Sequence, residues 1–407
     1  MNDKRDRIRI FYAAGPGDIV GTYSHWAKGE DDPSVPDVAY SAQFYDLCRD
    51  MDLQTFVVSR NQEAKVVRNG QFVLIHRPRR ILGQNAVLWH LSELLHCLRL
   101  VIDAMRFRAQ VVVVAAETHW FAFGLLAMLG KCVVPSLHCA LWPAAGPRGR
   151  TASILSLLDR RFFASSCFVI MSHPATLPEQ IREMTAGQCR PILTFLPLYR
   201  RGRFSCISPP VFEKRPFRVL FLGRVSESKG VLDLLSIAER FKAQGITDIA
   251  FDICGVGPAS ERLSAEADRA GVKPCFHQHG FCAMADKLPG LLSESHVLIA
   301  PTTSRFLEGF NASIAEGVLT GRPVITSRVC PAMHVVRDAV VEVQTDDVQG
   351  YADAILELRD NAELYAEKCE ATSALRKQFY DVDNSWYTAL KRAVTAFEQG
   401  IDPQGTV

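Results

Sequence analysis

The sequence lacks several features that would place it in a familiar class. None of its 12 cysteines forms a Cys-x-x-Cys pair, and there is no cluster of cysteine and histidine with the spacing of zinc ligands. A disulfide scaffold and a zinc site are therefore not expected, and scattered cysteines in a chain of this size favour a reducing cytoplasm. The 46 basic residues nearly balance the 44 acidic ones, which gives no reason to expect binding to nucleic acid.

Long hydrophobic runs are also absent. The most apolar region, residues 111–134, is interrupted by polar side chains at Glu117, Thr118, His119 and Lys131. A membrane span needs about 20 predominantly apolar residues, so we expect none. The basic segment Met1–Arg9 is followed by no apolar stretch and does not resemble a secretory signal. The basic amphipathic stretch Leu91–Arg108 leaves peripheral membrane contact open, although such a stretch is more often a packed surface helix.

The chain does have the length and periodicity of an α/β protein. Its 407 residues are too many for one ordinary core and suit two domains of about 200 residues each. Short apolar runs such as Gln110–Ala115 alternate with helical patterns such as Leu91–Phe107. This alternation predicts parallel sheets with helices on both faces.

The alternation stops over residues 191–217, which contain five prolines, and restarts with the predicted strand Arg218–Leu222. This break predicts an interdomain linker. We therefore predict an N-terminal domain over residues 1–205, a C-terminal domain over 206–383 and a helical tail over 384–407.

A first candidate site follows the strand that begins at Phe217. The strand ends at Gly223, a polar loop contains Arg224 and Lys229, and an amphipathic helix is predicted to begin near Lys229. A helix N-terminus favours anions, and the two cations add full charges, so the loop has the composition of a diphosphate cradle. Alternatively, both charges are solvated loop residues.

A second candidate site follows the predicted strand Val297–Ala300 and contains Glu308 and Glu316. If the residues between them were helical, the two carboxylates would lie roughly 12 Å apart, too far to share a proton or a metal ion. They suit an elongated ligand with hydroxyl groups at both ends. Backbone N–H groups at the helix start can face an anion between them, those of Gly309, Phe310 and Asn311. The alternative is a helix with an ordinary first-turn glutamate.

Together, these segments resemble the retaining glycosyltransferase family 4, also described as glycosyl transferases group 1. The resemblance rests on the Glu-x7-Glu spacing, the loop Gly-Arg-Val-Ser-Glu-Ser-Lys-Gly and the following Gly321-Arg-Pro-Val-Ile. It covers about Arg218–Thr326 and is traceable over the N-terminal half. It implies the GT-B fold, with two facing Rossmann-like domains and a C-terminal helix that returns to the first.

The resemblance also implies roles for individual residues. Arg224 and Lys229 would hold the donor diphosphate, Glu308 would bind the transferred sugar and Glu316 the ribose. His138 would face the sugar, so that the catalytic set is Glu308, His138, Lys229 and Arg224. The remaining donor-binding residues would be Gly17, Gly223, Gly255, Phe281 near the nucleobase, Gly309, Phe310, Asn311 and Ala312.

The N-terminal candidates have simpler alternatives: Gly17 could belong to a plain turn, and His138 could be a structural histidine. Glu117 or His119 are weaker candidates for contact with an acceptor. The chain also departs from the family pattern, since Asn311 replaces the usual glycine and Val329-Cys-Pro-Ala332 stands where a Gly-Gly pair is common. These departures bear on the choice of sugar more than on the reaction class.

The reaction implied by the resemblance is transfer of a hexosyl group from a nucleoside diphosphate sugar to a hydroxyl acceptor, with retention of configuration. The acceptor would be a saccharide or lipid-linked saccharide in bacterial-type polysaccharide or glycoconjugate synthesis. No cofactor is expected beyond the donor, and the lack of an Asp-x-Asp motif near the donor loop predicts transfer without metal. Two alternatives remain open, a non-catalytic nucleotide-sugar-binding subunit and a nucleotide-sugar epimerase. A dehydrogenase is disfavoured because no Gly-x-Gly-x-x-Gly opens a helix near the N-terminus.

Overall fold

The computed structural model describes residues 7–35, 37–78, 83, 85–115, 119–143, 150–284 and 286–404, with backbone alone for 150–153. The chain forms two compact units. The first contains the described residues up to Cys139, those of Arg148–Leu198 and those from Val382 onward; the second contains Tyr199–Asp381 and a short segment from Ala140. The predicted boundaries at 205 and 383 lie a few residues beyond these divisions.

The first unit is built on an eight-stranded sheet with the order β3-β4-β2-β1-β5-β6-β7-β8. All neighbouring strands are parallel except β3 and β4, which form an antiparallel hairpin at the edge. The strands are β1 (Arg9–Pro16), β2 (Gln54–Arg60), β3 (Lys65–Asn69), β4 (Phe72–Arg77), β5 (Val111–Ala115), β6 (Cys132–Leu137), β7 (Ile170–Ser172) and β8 (Ile192–Thr194).

Helices cover this sheet, and the chain's last helix is one of them. They are α1 (Ile19–Trp26), α2 (Tyr40–Asp50), α3 (Ala86–Arg106), α4 (Gly124–Met128), α5 (Arg150–Arg161), α6 (Thr176–Thr185) and, from the C-terminal end, α13 (Trp386–Gln399). Trp386 of α13 is fully buried in the core of this unit, and Tyr387 N donates a hydrogen bond to Gln43 Oε1 at 3.0 Å. The C-terminal helix is therefore part of the N-terminal unit.

The second unit is built on a six-stranded parallel sheet with the order β11-β10-β9-β12-β13-β14. The strands are β9 (Phe217–Leu222), β10 (Ile249–Cys254), β11 (Phe276–Gly280), β12 (Val297–Ala300), β13 (Val324–Thr326) and β14 (Val340–Glu342). The helices are α7 (Val231–Ala243), α8 (Ser260–Ala270), α9 (Leu288–Glu294), α10 (Ala312–Leu319), α11 (Val348–Asp360) and α12 (Ala362–Leu375).

The sequence predicted the second unit more closely than the first. The sequence predicts the strands Ile249–Cys254 and Val297–Ala300 and the helices Ser260–Ala270 and Ala312–Leu319, and these are the bounds of β10, β12, α8 and α10. The helical stretch that it predicts over about residues 349–376 is divided into α11 and α12, because Asn361 has an extended backbone and its side chain accepts a hydrogen bond from Leu364 N at 3.0 Å, which ends α11 and caps α12.

Several elements of the first unit were not predicted. The hairpin of β3 and β4 was missed, although Asn69-Gly70 between two Val-rich runs is a recognised turn signal. The helices α1, α2, α5 and α6 were also missed, and the predicted helix Phe121–Leu129 is a 3-10 turn, Trp120–Phe123, followed by α4. Within the described part of the chain, no helix is both long and apolar enough to cross a membrane.

Candidate functional site

The two loops singled out by sequence lie together in the second unit. They follow β9 and β12, which are neighbouring parallel strands, so both leave the same edge of the sheet. Ser228 O accepts hydrogen bonds from Thr303 N at 3.0 Å and from Thr303 Oγ1 at 3.2 Å. Gly230 has a φ of 73°, and a Cβ there would lie 2.1 Å from Pro301 O. Motifs about 80 residues apart in sequence therefore form one surface.

The centre of this surface is the carboxylate of Glu308, which is only 6% exposed. Its Oε2 forms an ion pair with Lys229 Nζ and accepts hydrogen bonds from Thr302 Oγ1 at 2.9 Å and Asn311 Nδ2 at 3.2 Å. Its Oε1 accepts one hydrogen bond, from Gly309 N at 3.2 Å. A buried carboxylate needs such partners, because burial of an unpaired charge costs several kcal/mol, of the order of 3–5 when one partner of a pair is removed.

Lys229 is held on two sides. Its ammonium pairs with Glu308 and lies 4.6 Å from the centroid of the Phe306 ring, within cation–π range. Arg224 differs, because it is exposed and makes no hydrogen bond or ion pair with a described residue. The structure thus brings Lys229 and Glu308 together and leaves the side chain of Arg224 in solvent beside Gly223.

Asn311 occupies the N-cap of α10 with a left-handed backbone, φ 66°. Glycine adopts this conformation freely, and asparagine is among the few other residues that tolerate it. Its Nδ2 donates to Cys330 Sγ at 3.3 Å as well as to Glu308, and its Oδ1 accepts from Ser313 Oγ at 2.6 Å. Burial, and then the Glu308 charge, raises the pKa of the Cys330 thiol, which keeps it neutral.

Glu316 lies within α10, which begins at Ala312, and is 6% exposed. Phe310 is equally buried, and its ring centroid lies 6.1 Å from that of Phe379. The phenyl ring of Phe310 therefore packs inside the unit, and the group it offers to a ligand is its backbone.

The strand ends of β9, β10 and β11 approach one another through glycine. Gly255 has a φ of 142°, and a Cβ there would lie 1.8 Å from Gly223 O. Gly255 N donates to Gly280 O at 2.7 Å. Phe281 follows directly and is 68% exposed. These strand ends therefore present backbone without side chains, next to an exposed aromatic ring.

Arg322, in the segment Gly321-Arg-Pro-Val-Ile, has a structural role. Arg322 is fully buried and donates to the backbone carbonyls of Ser208, Ser293 and Ser295. Burial lowers its pKa to about 10, so it stays protonated at neutral pH. Arg322 ties the segment that precedes β9 to the end of α9.

Gly17 and His138 belong to the first unit, where both line a cavity of about 390 Å³. They follow β1 and β6, whose carboxyl ends lie at the same edge of the sheet. Other lining residues are the carboxylates Asp18, Asp32 and Asp37 and the aromatic Tyr40. The predicted N-terminal pair is thus one local site.

The hydrogen bonds around His138 assign its tautomer. Trp386 Nε1 donates to Ser136 Oγ at 2.8 Å, and Ser136 Oγ lies 3.0 Å from His138 Nε2. Among the hydrogen bonds of the described residues, His138 Nε2 is the one acceptor open to the buried Ser136 hydroxyl, which favours the tautomer with the proton on Nδ1. Burial lowers the pKa of His138 to about 4, so the ring is neutral at neutral pH.

Sequence reasoning missed the residues that support these groups. Thr302 and Cys330 bond to the Glu308 cluster, while Ser136 and Trp386 orient His138. Thr302 lies in the second motif and Ser136 two residues before His138, so proximity was an available signal for both. No signal pointed to Trp386, which is 250 residues away from Ser136 in sequence.

Of the two remaining sequence candidates, Glu117 and His119, the structure describes only His119. Glu117 lies outside the described residues. His119 is 2% exposed, its ring centroid is 5.4 Å from that of His90, and it is not among the cavity's lining residues. In the described ranges, no three or more side chains of histidine, cysteine, aspartate or glutamate are arranged to hold a metal ion.

One family model and several known proteins match part of the chain. Residues 216–361 match the model described as "Glycosyl transferases group 1". The chain is 27% identical over 146 residues to the 2-deoxystreptamine N-acetyl-D-glucosaminyltransferase of Niallia circulans, covering 35% of this chain and 36% of the relative. It is 32% identical over 105 residues to the enzyme of that name from Streptomyces fradiae, covering 26% and 24%. The matches thus span about a third or less of these relatives.

Solved structures resemble almost the whole chain. The α,α-trehalose 6-phosphate synthase of Burkholderia multivorans is 13% identical with a TM-score of 0.69, covering 97% of this chain and 99% of its own. HepE of Anabaena in complex with UDP is 13% identical with a TM-score of 0.64, covering 97% and 100%. WaaG, a glycosyltransferase of lipopolysaccharide biosynthesis, is 13% identical with a TM-score of 0.64, covering 95% and 100%. At these identities the likeness establishes the fold, and the predicted GT-B fold is confirmed.

Proposed function

We propose that this chain is a glycosyltransferase, because residues 216–361 match the family model described as "Glycosyl transferases group 1". It transfers a hexosyl group from a nucleoside diphosphate sugar to a hydroxyl of a saccharide or lipid-linked saccharide, with retention of configuration and without a metal ion or further cofactor. A role in polysaccharide or glycoconjugate synthesis, on the cytoplasmic side of a membrane, is part of the proposal. The observation that carries it is the cluster of Lys229, Glu308 and Asn311 at the carboxyl edge of the β9–β12 pair.

The diphosphate leaving group is assigned to the Lys229 side of this cluster. Departure of the sugar places negative charge on the diphosphate, which nearby cations stabilise. Lys229 is already oriented by Glu308 and Phe306, so little reorganisation is needed when that charge develops. Arg224 is exposed in the same loop and is free to add a second cation when a donor binds.

The transferred sugar is assigned to Glu308. Its Oε2 accepts from Lys229, Thr302 and Asn311, whereas its Oε1 accepts only from Gly309 N among the described residues. A carboxylate oxygen can accept two or more hydrogen bonds, so Oε1 retains capacity for a sugar hydroxyl. The backbone from Gly309 to Ala312 borders the same position.

We assign the ribose to Glu316 and the nucleobase to the strand ends of β9, β10 and β11, at Gly223, Gly255 and Gly280. The absence of side chains at Gly223 and Gly255 exposes backbone, and the exposed ring of Phe281 provides a stacking surface. The complex of HepE with UDP, a protein of the same fold, supports a nucleotide as ligand.

The acceptor is assigned to the cavity of the first unit. Gly17 offers backbone there, and the carboxylates of Asp18 and Asp32 can accept hydrogen bonds from hydroxyl groups. Neutral His138, with its proton on Nδ1, is a hydrogen-bond donor toward a sugar oxygen.

Substitutions in the cluster test the donor site. We expect Lys229→Ala to lower kcat by about 10²–10³, the usual effect of removing one stabilising donor, and Lys229→Arg to recover part of the rate. We expect Glu316→Ala to raise the KM for the donor by about tenfold, as loss of one good hydrogen bond to a charged group does. Lys273→Ala, which removes a lysine that is 57% exposed and paired with Asp268, serves as the control.

Thermal unfolding of each variant shows whether the fold survives, since Lys229→Ala leaves Glu308 without its cation. Normal turnover in both folded variants would contradict the donor site. Binding of a donor by the wild-type protein without hydrolysis or transfer would instead favour a non-catalytic subunit. Conversion of the nucleotide sugar without an acceptor would favour an epimerase.

A chelator tests metal independence. We expect the transfer rate to be unchanged after treatment with EDTA and dialysis, because the leaving-group charge is assigned to Lys229, Arg224 and the start of α7. Steady-state assays with and without added Mg²⁺ or Mn²⁺ measure this. A rate lost on chelation and restored by either ion would overturn it.

A further inference from the structure

Three helices of the first unit lie side by side on one face of its sheet. The connections from β4 to β5, from β5 to β6 and from β6 to β7 all run in the same direction along the strand order and contain α3, α4 and α5 respectively. Right-handed crossovers of this kind place their helices on one face. All three helices also pack around the 3-10 turn Trp120–Phe123. Their outward sides form one surface, which we call the α3–α5 surface (residues 86–108, 124–131 and 154–161).

This surface concentrates the exposed apolar side chains of the protein. Of the 18 large hydrophobic residues that are exposed in the described chain, 11 lie on it. Monomeric soluble proteins seldom expose large contiguous apolar patches, so such a concentration marks an interaction site. On α3 these residues recur at spacings of three, four and seven, as on one side of a helix. They are Val87, Leu91, Leu95, Ile102 and Met105 of α3, Leu125, Met128 and Leu129 in and after α4, and Ile154, Leu157 and Leu158 of α5.

The charge of the surface has one sign. Its acidic side chains are withdrawn into the protein: Glu93 is 2% exposed and pairs with Arg60 at 3.0 Å, and Asp103 pairs with Arg77 at 2.7 Å. Asp159 is 6% exposed and accepts from Phe121 N at 2.8 Å. The exposed charged residues are all basic, namely Arg99, Arg106, Arg108, Arg160 and Arg161, and Lys131 is half-buried beside them.

We propose that the α3–α5 surface binds a membrane that contains anionic phospholipid. Apolar side chains interspersed with arginines are typical of a helix that lies in the interface between a membrane and water. Such a helix places its apolar groups among the acyl chains and its guanidinium groups on the lipid phosphates. A second copy of the chain fits less well, because an isologous contact would bring the same six cations face to face. The inference deepens the membrane location included in the proposed function, by naming the surface and the lipid, and it does not depend on the transferase activity.

Sedimentation with vesicles tests the proposal. We expect the full chain to bind vesicles of phosphatidylcholine with 30% phosphatidylglycerol at least about tenfold more tightly than vesicles of phosphatidylcholine alone, as several basic residues near an anionic surface imply. We expect Leu95→Ser/Met128→Ser/Leu157→Ser to weaken binding by about tenfold or more, and Arg160→Glu/Arg161→Glu to weaken it by a similar factor on anionic vesicles only. Binding should also fall as salt rises.

Matched controls separate this surface from exposed apolar residues in general. Val66→Ser and Val211→Ser remove side chains that are 56% and 57% exposed elsewhere, and both should leave binding unchanged. Equal binding to neutral and anionic vesicles, no binding, or equal losses in the controls would each overturn the proposal. A concentration-dependent dimer in light scattering that the triple variant abolishes, without vesicle binding, would assign the surface to a second copy. Because the experiment measures lipid binding, a negative result would overturn the proposal for the α3–α5 surface and would leave the proposed transferase activity untouched.

Discussion

At the scale of single residues, the site depends on how one buried carboxylate is surrounded. Three donors converge on Glu308 Oε2 and a single backbone N–H reaches Oε1. One of the three donors, the amide of Asn311, would be lost if glycine stood at this position. The sequence shows the asparagine, but its backbone conformation and its bond to Glu308 are visible only in the structure.

Asn311 is therefore expected to respond differently to two small substitutions. Asn311→Gly and Asn311→Ala both lose the bond to Glu308, but only alanine also strains the left-handed backbone, at about 1–2 kcal/mol. We expect the free energy of unfolding in urea to be lower for the alanine variant than for the glycine variant by about 1 kcal/mol, since glycine loses part of its advantage to chain entropy. An alanine variant as stable as the glycine variant would contradict the strained conformation.

At the scale of secondary-structure elements, the donor edge depends on how closely strand ends approach. Elements β9, β10 and β11 end in backbone that packs against backbone, and Gly255 is the position where a side chain has no space. The sequence predicted these strands well because parallel strands buried on both faces are continuous apolar runs. It predicted the first unit less well, where a hairpin, a 3-10 turn and short helices depend on local turn chemistry.

The close approach of β9 and β10 predicts a large effect of Gly255→Ala. A Cβ 1.8 Å from Gly223 O forces the strand ends apart, and we expect a loss of unfolding free energy of about 3 kcal/mol or more, beyond the range of ordinary surface changes. Gly245→Ala is the matched control, because its φ is 75° but no atom lies within 4 Å of the added Cβ, so about 1 kcal/mol of backbone strain is expected. Urea unfolding of both variants measures the difference, and equal losses would show that the steric contact is unimportant.

At the scale of the whole molecule, each unit contains a histidine whose pKa burial lowers to about 4. They are His138 in the first unit and His296 in the second. An unfolded histidine has a pKa near 6.5, so between these values the unfolded chain binds protons that the folded chain does not. The free energy of unfolding therefore falls as the pH falls through this window.

We expect unfolding of the wild-type protein in urea to become easier from pH 7 to pH 4.5, with each histidine contributing up to about 3 kcal/mol over the full interval. His138→Asn removes one of these groups, so its unfolding free energy should change less with pH than that of the wild type. An identical pH dependence in the two proteins would show that the pKa of His138 is not lowered by folding.

The sequence by itself determined the α/β class and the strands and helices that frame the two loops, and it singled out Lys229 and Glu308 as candidates. These follow from local patterns, because periodicity, glycine and charge act over a few neighbouring residues. The structure decided that the two loops meet, that Asn311 and Thr302 share the oxygen of Glu308 with Lys229, and that Trp386 orients His138 through Ser136. Such contacts join residues up to 250 positions apart. These residues come within hydrogen-bond distance only because parallel strands pack side by side and the last helix belongs to the first unit.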